Sequence, residues 1–174
     1  MPATVTIQIA TETDAAWVAA LCADQFYRVH EPGFVKEDLL WLIDYKFNSL
    51  ALQQDIADPA NFYHVAFLNQ QPAGCIKVGA PTLALAKQEA GAIEVSRLYL
   101  YPHLTGQGIG LQLLHAAMQA AVKKGYASCW LHVFMQNPGA RKFYEREGFN
   151  VVGTEQLLVK NSSPNGWVMM KTLV

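Results

Sequence analysis

Three glycines stand at alternate positions, Gly106, Gly108 and Gly110, in the stretch LTGQGIGLQLLHAAMQAAVKKG that begins at Leu104. Glycine weakens a helix by about 1 kcal/mol relative to alanine. Three of them at a helix entrance therefore point to a backbone that bends sharply or is closely approached. Behind them Gln112, His115, Gln119 and Lys123 form one polar stripe, while Leu113, Leu114, Ala117, Ala121 and Val122 lie away from it. That spacing predicts a helix from Gly108 to Gly125 packed on a sheet. Its first N–H groups have no partner within the helix, and the helix dipole adds roughly half a positive charge there. Such an end binds an anion, and glycine lets a phosphate reach the backbone. TGQGIG thus reads as a phosphate-binding loop after a strand, with a plain tight turn as the alternative. Two familiar nucleotide loops fail on spacing. No lysine follows Gly110 as a P-loop needs, and Leu111 occupies the third glycine of a dinucleotide fingerprint, whose acid is also missing from ASCWLHVFM.

The elements that must position this loop follow from the pattern around it. VTIQIA alternates and reads as a strand; AAWVAALCADQFYRVH after Thr13 and Asp14 reads as a capped helix. KEDLLWLIDYKFNSLALQQDIADP has helical spacing and length enough for two helices. NFYHVAFLN and GCIKVGA are strands around the hairpin turn NQQPAG, LALAKQEAG is a loop, and AIEVSRLYLYP is a long strand. ASCWLHVFM is the next strand. NPGARKFYEREGF is a short helix with Asn137 as its cap, Pro138 in its first turn and Gly148 at its stop. NVVGTEQLLVK and WVMMKTLV close the chain as strands around the turn NSSPNG. A helix between the strands at 92–101 and 127–135 makes them a parallel pair, and the hairpins make the others antiparallel. The expected fold is α/β, a mixed sheet with helices on both faces. The 174 residues suit one domain spanning 1–174. A formal net charge of -1 argues against nucleic acid as the main partner. Three scattered cysteines, Cys22, Cys75 and Cys129, read as reduced thiols of a cytoplasmic protein, and no apolar run marks a signal peptide or a membrane span.

RLYLYP, TGQGIG and NPGARKFYEREGF occur in that order, and together they closely resemble the GNAT superfamily of N-acetyltransferases. Asn137, Ala140, Phe143, Tyr144, Gly148 and Phe149 match every position of that family's N-x-x-A-x-x-F-Y-x-x-x-G-F helix. Gly108 and Gly110 match its pyrophosphate loop, but Thr105 stands where the family usually has Arg or Gln. The resemblance covers about 91–153 strongly and the rest by element order. It implies a mostly antiparallel sheet of six to seven strands whose central parallel pair splays apart to admit acetyl-CoA, which leaves as CoA. The pantetheine arm would then pair with Leu98, Tyr99 and Leu100, as an added strand pairs with a sheet edge. The amides of Thr105, Gly106, Gln107, Gly108, Ile109 and Gly110 would hold the pyrophosphate, and Asn137 would touch the cofactor as well as cap its helix.

The implied reaction is direct attack by a primary amine on a thioester. An alkyl amine with a pKa of ~10.4 is almost wholly protonated at neutral pH, so a base or a water path must take its proton. Glu94 on the first cleft strand is the candidate base. Tyr144 fills the family's position for the acid that protonates the departing thiolate and also lines the cofactor. A backbone N–H of the 98–100 strand would hold the developing oxyanion. Cys129 reads as a buried structural thiol. His103 reads as solvated, and Arg141, Lys142 and Arg146 as the wet face of their helix. His64 and His132 show no metal-ligand spacing, so no metal is expected.

In the superfamily the early helices shape the acceptor site. Here they carry Phe26, Tyr27, His30, Trp41, Tyr45 and Phe47, with Asp24, Glu31, Glu37, Asp38 and Asp44 nearby. Tyr27, His30 and Trp41 are the expected substrate contacts. Aromatic and acidic groups together suit a cationic amine such as a polyamine, and EVSRLYLYPHLTGQGIG with the closing WVMMKTLV resembles a bacterial spermidine/spermine acetyltransferase-like branch; the plainer alternative places the aromatics in the core and the acids on the surface. Two rival functions fit the same residues: a non-catalytic acyl-CoA-binding or sensing module, and an acetyltransferase acting on protein N-termini or lysines. The apolar WVMMKTLV is a candidate homodimer strand.

Overall fold

Asn69 and Gln70 both take positive φ, 49° and 67°. That is the conformation a two-residue hairpin needs to match the twist of its strands. The hairpin joins β2 (Phe62–Leu68) to β3 (Gln71–Gly79). In this computed structural model, which describes residues 4–174, they belong to a seven-stranded sheet of order β1-β2-β3-β4-β5-β7-β6. The other strands are β1 (Val5–Ile9), β4 (Ala92–Leu100), β5 (Ser128–Phe134), β6 (Asn150–Gln156) and β7 (Asn165–Thr172). Only β4 and β5 run parallel; the remaining neighbours are antiparallel. The parallel pair follows from the helix between its strands, α4 (Ile109–Lys123).

α1 (Ala15–His30), α2 (Lys36–Phe47) and α3 (Ser49–Ala57) cover one face of the sheet. The α2–α3 break falls at Asn48, whose side chain accepts from the Ala51 amide at 2.9 Å and so starts a second helix. On the other face lie α4 and α5 (Pro138–Arg146). Ile109, Leu113, Leu114, Ala117 and Ala121 are buried there against β2, β3 and β4. Val122, grouped with that apolar face by spacing, is exposed, because it lies on the flank where α4 turns toward its end. The loop read at LALAKQEAG contains a single 3-10 turn, Ala86–Gln88.

WVMMKTLV does not lie at an edge. β7 is paired on both sides, with β5 and β6, so its backbone has no free edge to offer a second copy, and the basis for a dimer through that strand falls away. Cys22, Cys75 and Cys129 are all free and buried. Among the described residues no helix is long and apolar enough to cross a membrane.

Candidate functional site

The parallel ladder is short. β4 pairs with β5 only from Ala92–Val95 against Ser128–Leu131. Farther on, Leu98, Tyr99 and Leu100 pair with Ile76, Cys75 and Gly74 of β3, while His132, Val133 and Phe134 pair with β7. Each strand is thus held by its outer neighbour, and the inner edge of β4 beyond Val95 has no strand partner. Opposite Lys77 and Val78 stand Arg97 and Val95, so Ser96 is an unopposed bulge residue. Bulges of this kind bend a strand and re-aim its side chains. The gap is a cavity of about 100 Å³.

On the α4–α5 side this cavity is lined by Leu98, Asn137, Ala140 and Tyr144. The Asn137 side chain accepts from the Ala140 amide at 3.2 Å, so its capping role is present. Tyr144 is 8% exposed, edge-on to Phe143 at 5.0 Å and to Phe149 at 5.5 Å. Burial, with a smaller contribution from Cys129, pushes its phenol well above the ordinary tyrosine value. Its hydroxyl has no hydrogen-bond partner among the described residues.

Beyond β4 the chain makes a 3-10 turn, Pro102–Leu104, and Leu104 and Ile109 are buried as the two anchors of the loop between them. Gly106 and Gly108 both have φ 76°, a left-handed conformation, and a Cβ on either would meet nothing within 4 Å. The amides of Gly106, Gln107, Gly108, Ile109 and Gly110 have no backbone acceptor among the described residues. Thr105 differs from the expectation. Its amide donates to the Pro102 carbonyl at 3.3 Å and its hydroxyl to the same oxygen at 2.8 Å, so both donors are committed to the turn. Five adjacent unpaired donors at a helix start, with open space before them, fit a diphosphate.

Glu94 lies where the ladder is still closed and does not line the cavity. Its buried carboxylate accepts from the Thr82 amide at 2.6 Å, the Thr82 hydroxyl at 2.9 Å and the Leu83 amide at 3.0 Å. It closes the loop between β3 and β4 and is not brought together with Tyr144. Cys129 is fully buried, and desolvation pushes its thiol up to about 12.

On the α1 side the cavity is lined by Val29, His30, Arg97, Tyr99, His132 and Phe134. His30 is stacked between Phe26 at 3.9 Å and Phe134 at 5.2 Å, and its Nδ1 meets the Phe26 carbonyl at 2.9 Å. Burial pushes it down to about 4, so the ring is neutral at pH 7 and Nδ1 is the donor. Of the three expected acceptor contacts only His30 lines the cavity. The Tyr27 hydroxyl donates to Glu31 at 3.0 Å. Trp41 is 45% exposed, stacked on Tyr45 with the Lys160 ammonium over it. The acids named with them are elsewhere too. Asp24 pairs with Arg28 at the surface, and Glu37 and Asp44 are exposed. Asp38 accepts from the Asn161 amide and the Ser162 hydroxyl. No carboxylate lines the cavity.

Arg97 was not singled out by sequence. Its Nη1 donates to Asp55 at 3.1 Å and to the Tyr63 hydroxyl, which in turn donates to Asp55. Lys77 donates to the same carboxylate at 2.7 Å and 2.9 Å. Burial first, and the Arg97 charge as well, depress the Lys77 ammonium although Asp55 pulls the other way. Two cations therefore share one carboxylate beneath the cavity.

The profile of the Acetyltransferase (GNAT) family matches residues 9–149. An uncharacterized N-acetyltransferase of Mycobacterium tuberculosis is 30% identical over 162 residues, covering 93% of this chain and 99% of the relative. The Spermidine N(1)-acetyltransferase of Thermoplasma acidophilum is 41% identical over 66 residues, 38% of this chain and 41% of that protein. Among solved structures, the PaiA N-acetyltransferase of Thermoplasma acidophilum in complex with coenzyme A superimposes with a TM-score of 0.79 at 24% identity, covering 97% of this chain and 99% of that one. An N-acetyltransferase from Staphylococcus aureus gives 0.70 at 18% identity, covering 98% and 99%.

Proposed function

The chain belongs to the acetyltransferase (GNAT) family, and from that premise we propose that it moves an acetyl group from acetyl-CoA directly to a primary amine of a small molecule, with Tyr144 as the proton donor. The observation that carries the reading is the row of unpaired amides from Gly106 to Gly110, set beside strands that part after Val95. Acetyl-CoA, when bound, supplies an activated acyl group as its thioester. The Gly106–Gly110 amides hold its diphosphate, the left-handed glycines leaving room for close approach. The inner edge of Leu98, Tyr99 and Leu100 offers its N–H and C=O groups to the amides of the pantetheine arm, as a sheet edge receives a strand. Asn137, at the start of α5, adds a polar contact.

Tyr144 carries its proton at neutral pH, as any phenol does. It passes that proton to the departing thiolate and regains one from water, and the upward pull of burial on its pKa means that it gives the proton up only as negative charge develops on the sulfur. The amine's proton leaves through water in the open cavity. Glu94, whose oxygens are taken by Thr82 and Leu83, serves the loop instead.

Two measurements test this. Acetyl-CoA at 100 times its dissociation constant stabilises the fold by about 2.7 kcal/mol, a rise in melting temperature of roughly 5–10 °C for a chain of this size. Stabilisation by NAD or ATP in its place overturns the reading. Release of free CoA with a panel of small amines then separates an enzyme from an acyl-CoA-sensing module, which binds without turnover. It also separates it from a protein acetyltransferase, which leaves small amines unused.

A further inference from the structure

We propose that the acceptor carries a carboxylate as well as its reacting amine, an amino-acid type of substrate, and that the open side of the Arg97 guanidinium receives that carboxylate. The inference rests on the acetyl-transfer reading above and assigns the substrate class of the same site.

Arg97 is the one Lys, Arg, Asp or Glu in the cavity lining. A guanidinium has five N–H donors. Only Nη1 of Arg97 is engaged, by Asp55 and Tyr63; Nε and Nη2 have no acceptor among the described residues. The side chain is 12% exposed, and its plane is fixed by Asp55 on one side and by the Phe47 ring, 4.9 Å away. A half-used, immobilised fork matches a carboxylate in a bidentate pair.

Charge balance points the same way. Asp55 serves Lys77 as well as Arg97, so one carboxylate is divided between two cations. A ligand carboxylate would give Arg97 a counter-charge that it does not share with Lys77. A polycation would meet Arg97 with no carboxylate in the lining to receive it. The placement also suits the chemistry. Arg97, His30 and Phe134 lie on the α1 side of the gap, and Tyr144 and Asn137 on the α4–α5 side. An acceptor entering from the α1 side with its carboxylate on Arg97 directs its amine into the opening between β4 and β5.

The test compares acids with their own amides. CoA release by the full chain is measured with phenylalanine, leucine and glutamate, with phenylalaninamide, leucinamide and glutamic acid diamide, and with spermidine. The expected result is a kcat/KM for the best acid at least tenfold above its amide. In Arg97→Lys, which keeps the charge and loses the fork, that ratio collapses, mainly through KM. Amides or spermidine equalling the acids overturns the inference and leaves acetyl transfer standing. Should no amine be acetylated, the CoA-loaded protein is melted with the same compounds. A rise with an acid that its amide does not reproduce upholds the inference, and equal shifts overturn it. No stabilisation by CoA at all overturns both readings. The acid-against-amide comparison in the unaltered chain needs no variant to fold.

Discussion

Tyr144 owes its proposed role to where it is buried. Tyr144→Phe keeps the ring edge-on to Phe143 and Phe149 and deletes only the hydroxyl. The expected outcome is a fall in kcat of about 100-fold, typical for loss of a general acid, with acetyl-CoA binding unchanged in a thermal-shift titration. An unaltered kcat removes Tyr144 from the mechanism. His30 makes a different prediction. Its pKa is pushed from 6.5 to about 4 in the folded chain, first by burial. The unfolded state therefore binds the extra proton first as pH falls, so stability is full above about 6.5 and drains toward about 4, by at most about 3 kcal/mol. Urea midpoints measured across that window should slope, and His30→Phe, which keeps the ring between Phe26 and Phe134, should flatten the slope. At this scale the sequence was informative where a residue's role depends on its near neighbours. Asn137 and Tyr144 sit in a helix whose ends and pattern are local, and both line the cavity. Arg97 was hidden because its aim depends on the Ser96 bulge, and its partner Asp55 is 42 positions away in the chain. Glu94 could be placed on its strand, but not the Thr82 amide and hydroxyl that occupy its carboxylate.

The junction of the loop and α4 is the element on which cofactor binding turns. Gly108 precedes α4 in a left-handed conformation with open space around it. Gly108→Ala has room for its methyl but not the backbone freedom, at a cost of roughly 1–2 kcal/mol. The methyl would also stand in the approach to the amides. A lowered melting temperature together with a loss of acetyl-CoA affinity is expected, the second measured by calorimetry; unchanged affinity would separate the loop from the diphosphate. Helices, hairpins and the parallel pair were legible because each rests on periodicity or on the residues at its ends. Thr105 shows the limit: its neighbours in sequence do not reveal that a 3-10 turn offers the Pro102 carbonyl to both of its donors. β7 shows another, since an apolar strand's place in a sheet is set by β5 and β6 and not by its own residues.

Across the whole molecule, Asp55 joins the helical face to the sheet. From α3 it reaches Tyr63 on β2, Lys77 on β3 and Arg97 on β4. Burial alone would raise its pKa, but the hydrogen bonds from Lys77 and Tyr63 and the charges of Lys77 and Arg97 outweigh that and hold it below the ordinary value. Asp55→Asn leaves two mostly buried cations without their counter-charge, and loss of about 3 kcal/mol in urea unfolding is expected. The native carboxylate's contribution is complete above its unfolded pKa of about 3.9 and declines as pH drops through the lower folded value. The division of labour in the sheet has a consequence for time as well as for energy. β3 and β7 grip the two parted strands from outside, so the slot stands ready before anything enters it. Association of acetyl-CoA is then a one-step encounter whose observed rate climbs linearly with concentration, with no plateau to mark a slow rearrangement, and the residence time of the product rests on how fast its own contacts let go.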